Sequence, residues 1–130
     1  MSEINFVWEL KEEISDKEKR LRILKDFLKN LTPRNDGTPT GRNFSSKVEN
    51  LTAEIVDVEN EIKNLREKMT DAKISLFQKL QASKLSTNET EILYQRYCLC
   101  KPFKVIAIDL RLSESRMFDL HRKGLKKIKF

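Results

Sequence analysis

The residue types able to do chemistry in this chain gather near its C-terminal end. Cys98, Cys100 and His121 are the soft donors. A C-x-C pair with one His lacks the fourth ligand of a structural zinc site and matches none of the usual spacings, so two ordinary thiols are expected rather than a metal centre. Two cysteines one residue apart form no disulfide framework, which fits a reducing, cytoplasmic compartment. Glu59, Glu61 and Glu67 fall on the solvated face of a helix, not in a pocket. No nucleophile stands with a base and an orienting group, and no glycine-rich phosphate loop occurs. The expectation is a protein that is not an enzyme and holds no cofactor. What remains is charge. From Leu99 to Phe130, Lys101, Lys104, Arg111, Arg116, Arg122, Lys123, Lys126, Lys127 and Lys129 face only Asp109, Glu114 and Asp119, which accounts for the whole formal net charge of +6. The preceding residues are balanced. A localised basic surface suits a polyanion, with nucleic acid the first candidate; a solvated Lys-rich tail is the plain alternative.

The elements that must position these groups are helical. The chain has 130 residues, of which 38% are hydrophobic and 35% charged. That is too polar for a deep enzyme core and too apolar for a disordered chain. Only Gly124 and Pro102 among the Gly and Pro residues lie outside Pro33–Gly41. So few breakers argue against a sandwich, a barrel or a doubly wound sheet. No apolar run is long enough to span a membrane. Acidic residues from Glu3 onward argue against a targeting peptide.

Val7, Leu10, Ile14, Leu21, Leu24, Leu28 and Leu31 keep a 3/4 rhythm over residues 3–31, with Lys17 at one seam position and Ser2 a candidate N-cap. Residues 32–43 read as a loop. A second helix is expected from Phe44–Ser46 to about Ser83. Its Val48, Leu51, Ile55, Val58, Ile62, Leu65, Met69 and Ala72 alternate 3 and 4 without error, a coiled-coil pattern. The phase then shifts to Ile74, Phe77 and Leu80. The two helices are expected to form a long antiparallel hairpin over residues 1–84. Phe6, Trp8, Ile23 and Phe27 lie off the seam. A second chain is the favoured cover for them, with the C-terminal domain or simple surface exposure as alternatives. Val7, Trp8, Ile14, Leu21, Phe27, Ile55, Val58, Ile62 and Leu65 are therefore the candidate self-association residues of a homodimer. Lys17 either snorkels or sets register.

Residues 85–130 read as three short helices. Ser86-Thr87-Asn88-Glu89 has the form of a capping box and opens a helix holding Ile92, Leu93, Tyr94 and Tyr97. Pro102 suits the first turn of the next, which carries Phe103, Ile106, Ala107 and Leu110. After Arg111-Leu112, Ser113 is a good N-cap for a helix from Glu114 to about Lys127, with Met117, Leu120, Leu125 and Ile128 inward. Helix, tight turn and N-capped basic helix is the outline of a helix-turn-helix. Its last helix would offer Glu114, Ser115, Phe118, Asp119 and Arg122 to base edges. Arg116, Lys123, Lys126 and Lys127 would reach phosphates, and Ser113, Lys101 and Lys104 complete the candidate DNA-binding set. His121 is expected to face solvent or a phosphate.

The segment KPFKVIAIDLRLSESRMFDLHRKGLKKI resembles region 4 of the sigma-70 family, in which an I-A-x-x-L-x-[LV]-S-x-x-R core precedes a basic helix ending in A-L-x-x-L. Ile106 to Arg116 supply that core and Gly124 to Ile128 the ending. Leu93, Arg96 and Tyr97 match the L-x-x-R-Y that comes before. A heptad arm containing EIVDVENEI, a short linker and such a C-terminal domain are together similar to the ArpU-like phage regulators of Gram-positive bacteria. The resemblance implies a regulator of late phage or prophage genes, read as an activator, in the cytoplasm of a bacterial host. Gly124 departs from the usual Ala, and Phe118 and Asp119 stand where sigma factors more often carry Arg. A small terminase-like packaging protein, or a module binding host RNA polymerase, are the alternative readings.

Overall fold

The structure is a computed structural model and describes residues 3–31 and 42–128. The candidate cap Ser2, the loop residues 32–41 and Lys129 lie outside the described residues. Among the described residues all regular structure is helical. A 3-10 turn at Glu3–Asn5 leads into α1 (Phe6–Leu31), followed by α2 (Arg42–Ala82), α3 (Thr87–Leu93), a single π-turn at Tyr94–Cys98, α4 (Phe103–Asp109) and α5 (Glu114–Lys127). No helix of the described residues is long and apolar enough to cross a membrane.

The chain divides into two compact units. One is Glu12–Glu67; the other joins Met1–Lys11 to Lys68–Phe130. This division differs from the expected boundary after residue 84. The reason lies in size: about 45 residues make a small core that gains from borrowed apolar surface. Ile4, Leu76 and Leu80 supply it, sharing one buried cluster with Leu93, Tyr97, Cys98 and Ile128.

Within Glu12–Glu67 the heptad positions do what their spacing demands. Ile14, Ile55, Val58, Ile62 and Leu65 are buried, and Leu21, Leu24, Leu28, Val48 and Leu51 are half-buried. Lys17 and Glu18 of α1 pair with Glu61 and Arg66 of α2, at 2.7 and 2.6 Å. Arg20 and Lys25 pair with Glu54 and Glu59, at 2.8 and 3.6 Å. The two pairs nearer the start of α1 thus reach residues 61 and 66 of α2, and the two farther along reach residues 54 and 59. Pairs this exposed add little stability, but they fix register. Lys17 shows how: its stem lies in the seam while its ammonium reaches Glu61. That hydrogen bond, followed by the Lys17 charge, holds the Glu61 carboxyl below its ordinary value.

One expectation about the seam is corrected. Beyond Ala72 the buried stripe continues through Leu76 and Leu80, while Ile74 and Phe77 are exposed. Steps of four residues keep one face of a straight helix inward, so Leu76 takes the place assigned to Ile74 and Phe77. For Trp8 the C-terminal residues of the same chain, the alternative to a second chain, supply contacts. Its indole N–H donates to the Arg96 carbonyl at 2.8 Å, and the Arg96 guanidinium lies 4.6 Å from the ring. Of the other candidate self-association residues, Val7, Ile14, Ile55, Val58, Ile62 and Leu65 are buried within a single chain and Leu21 is half-buried. Their burial is already used by packing inside the chain. Phe27, Ile23 and Phe6 stay exposed.

The second core of the C-terminal part gathers Ile92, Ile106, Ala107, Met117 and Leu120, with Phe103, Leu110 and Leu112 packed against it. Ile92, Ile106 and Met117 are wholly buried, each worth roughly 2 kcal/mol relative to exposure. Gly124 explains its departure from alanine. A Cβ there would sit 2.9 Å from Leu93 Cδ1 and 3.5 Å from Glu89 Cβ, so the missing side chain lets α5 approach α3.

Candidate nucleic-acid interface

Helices of seven residues are too short to be stable alone, so local groups must fix where they start and stop. Ser86 does so for α3: its hydroxyl accepts from the Glu89 N–H at 3.2 Å, and its own N–H donates to Glu89 Oε1 at 2.8 Å. Lys127 donates to that same oxygen at 2.8 Å. Burial pushes the Glu89 carboxyl upward, but the hydrogen bonds from Lys127 and Ser86 and the Lys127 charge outweigh it and hold the group below its ordinary value. Lys127, expected at a phosphate, is thus committed to the internal carboxylate that ties α5 to α3.

Pro102 stands at the N-cap of α4, one step before its expected place, with φ −63°. The far end of α4 closes on a left-handed residue. Arg111 has φ 56°, its N–H donates to the Ile108 carbonyl at 3.1 Å, and the Leu112 N–H donates to the Ala107 carbonyl at 2.9 Å. This pair of bonds is the Schellman arrangement, usually made with glycine at the left-handed position. Leu110 and Leu112 are half-buried on either side. The chain then turns directly into α5, whose N-cap Ser113 accepts from the Arg116 N–H at 3.1 Å.

On α5 the inward residues are Met117, Leu120 and Gly124, with Ile128 just beyond the helix end. Ser113, Glu114, Ser115, Arg116, Phe118, Arg122, Lys123 and Lys126 are exposed. Asp119, half-buried, draws three of these cations to itself. Arg116 lies 3.3 Å away, Arg122 3.5 Å and Lys123 3.2 Å. The Lys123 hydrogen bond, aided by the charges of Lys123, Arg122 and Arg116, holds the Asp119 carboxyl below its ordinary value. Lys101 is not part of this group; it pairs with Asp109 at 3.4 Å. Lys104 on α4 is exposed. Arg111, left out of the candidate set, is an exposed cation at the turn itself; its place between two leucines ahead of the Ser113 cap was the available signal.

Arg96 is the residue whose role the sequence least suggested. Its guanidinium lies 4.0 Å from the Phe103 ring as well as 4.6 Å from Trp8, and Nη1 donates to the Lys101 carbonyl at 3.1 Å. Cation–π contacts on two rings fasten the start of α1 to the entry of α4. His121, expected to face solvent or a phosphate, belongs to the same aromatic group. It is half-buried, shares a 2.7 Å hydrogen bond with the Tyr97 hydroxyl, stacks on Tyr97 and meets Phe103 edge-on. Burial, with Arg96 adding to it, lowers its pKa. Burial raises that of Tyr97 against the opposing Arg96 charge.

Cys98 and Cys100 are buried free thiols. Burial pushes Cys98 up to about 11 and raises Cys100 too, so both are protonated and poor nucleophiles at neutral pH. Among the described residues no three His, Cys, Asp or Glu side chains converge as metal ligands do. Ile74, Phe77, Tyr94 and Leu99 line an open groove of about 590 Å³ whose rim carries Lys73 and Glu91. Comparison with protein-family models, curated proteins and solved structures yields no match.

Proposed function

We propose that this chain is a sequence-specific, double-stranded-DNA-binding transcriptional regulator in which α4, the Arg111 turn and α5 act as a helix-turn-helix. The observation that carries the proposal is the outer face of α5. It is a capped helix whose first turns present Glu114, Ser115 and Arg116, whose middle presents Phe118, Asp119 and Arg122, and whose flanks hold Lys123 and Lys126. An α-helix fits the major groove, and side chains of its first turns reach base edges. Arg111 and Lys104 extend the cationic set onto the turn and α4, where phosphates flank an inserted helix. The likeness of Ile106–Arg116 to sigma-70 region 4, and of the whole arrangement to ArpU-like phage regulators, favours late phage or prophage genes as the target and a bacterial cytoplasm as the setting. In this reading Glu12–Glu67 is an antiparallel arm and the working form is a dimer, which would place two copies of α5 on repeated half-sites. Phe27 is the candidate self-association residue that remains exposed.

The test is selection of bound duplexes from a random library, followed by fluorescence-anisotropy titration of the winner and its scramble over a salt series. The wild type should prefer the winner by about a thousandfold or more. Binding should weaken steeply with salt as counterions are released. The Arg116→Ala/Arg122→Ala variant should lose most of the preference. Equal, weak binding to both duplexes would leave the basic face as an electrostatic accessory and overturn the proposal.

A further inference from the structure

Asp119 is an anion on a face of α5 whose other charged residues beyond Glu114 are cations. The other acidic residues near it have local reasons to be there. Glu114 sits in the first turn of α5, where the helix dipole favours an anion, and Asp109 answers Lys101. Asp119 is in the middle of the helix. Its carboxylate lies within 3.5 Å of Arg116, Arg122 and Lys123, one turn before it and one turn after. All three cations are more than half exposed, and pairs so exposed contribute little to folding. A stability role therefore does not account for a carboxylate that would also repel a phosphate backbone.

We propose that Asp119 is a specificity-determining positioning residue. It gathers the two guanidinium groups and the Lys123 ammonium against the helix, where each is ordered but partly neutralised. A random duplex offers only phosphates, and engaging them means breaking these pairs for a partner no better placed. A matching site offers base-edge acceptors within reach of guanidinium groups still held in position by Asp119. The carboxylate thus lowers sequence-independent attraction and preserves discrimination. This inference rests on the DNA-binding reading above.

The test uses the full chain as wild type, Asp119→Asn and Asp119→Glu, titrated against the selected duplex and its scramble over a salt series, with thermal melting followed by circular dichroism. Asp119→Asn frees the cations without changing side-chain volume. Its affinity for the scramble should rise roughly three- to tenfold, and its salt dependence should steepen by about one phosphate contact. Its affinity for the selected duplex should stay level or fall, so the ratio between the two drops about tenfold. Asp119→Glu, which keeps the charge, should recover most of that ratio. A merely structural role would lower the melting temperature and weaken both duplexes in step; that result overturns the inference, as does an Asp119→Asn variant with unchanged ratio and slope. A wild type that binds neither duplex in a salt-dependent way overturns the DNA reading, and this inference with it. A discriminating wild type beside an unmoved Asp119→Asn variant removes the inference alone.

Discussion

Glu12–Glu67 and the C-terminal helices α3 to α5 are both helical, yet they are specified in different ways. In the first, long stretches of two helices repeat a single pattern. Ile14, Ile55, Val58, Ile62 and Leu65 are buried because of where they fall in a seven-residue repeat, and exposed ion pairs trim the register. No one residue there carries an irreplaceable shape. In the second, α3 and α4 have seven residues each, too few for a repeat to act. Order comes instead from single groups: the Ser86–Glu89 capping box, the left-handed Arg111, the Ser113 cap and the absent side chain of Gly124. Periodicity can specify a long helix cheaply; a compact set of short helices needs particular atoms at particular places. The exposed cations of the candidate interface depend on that second kind of order, since α5 must be held at a fixed angle to present them.

The largest effect that sharpens this contrast is expected at Ile106, wholly buried where α4 meets α5. Ile106→Ala should cost about 2–5 kcal/mol in urea unfolding, from lost burial plus the cavity left behind. A cost below about 1 kcal/mol would mean that the short helices tolerate loose packing and would break the contrast.

Next comes the bond between Lys127 and buried Glu89. With its folded pKa held below the ordinary 4.5, Glu89 contributes stability that is present above that value and is lost as pH falls through the lower folded one. Glu61 and Asp119 are lowered as well, so the informative quantity is the difference between wild type and Lys127→Met. That difference should be about 1–3 kcal/mol at pH 7, where the variant leaves a buried carboxylate without its cation. It should shrink as acid protonates Glu89 in both proteins. A pH-independent difference would assign the loss to the Lys127 stem alone.

The smallest effect should be a gain. A left-handed backbone costs a non-glycine residue about 1–2 kcal/mol, partly offset by the greater unfolded-state freedom of glycine. Arg111→Gly should therefore stabilise the chain by roughly 0.5 kcal/mol while weakening duplex binding through the loss of one cation. Greater stability with undiminished binding would remove Arg111 from the interface.

Much of this was legible in the sequence because it is local or periodic. The heptads announced the stretch from Val48 to Ala72, S-x-x-E announced the cap of α3, and Ser113 announced the start of α5. Leu76 does not stand out in the sequence because Ile74 and Phe77 around it are equally apolar, and only the direction of the helix face separates them. Long-range contacts left no signal of that kind. Trp8 meets Arg96 across 88 positions and Lys127 meets Glu89 across 38, and neither spacing marks a helix turn. The neutralising cluster at Asp119 was half legible: the i−3, i+3 and i+4 spacings are plain, but charge counting treats each cation as free.

The most direct measurement is a titration of isotope-labelled full chain with the selected duplex, followed through backbone amide chemical shifts. Shift changes should concentrate at Lys104, Arg111 and the face of α5 from Glu114 to Lys126, and should spare Glu12–Glu67. Changes centred on Glu12–Glu67, or none at saturating duplex, would contradict the assignment of α5 as the surface that reads DNA.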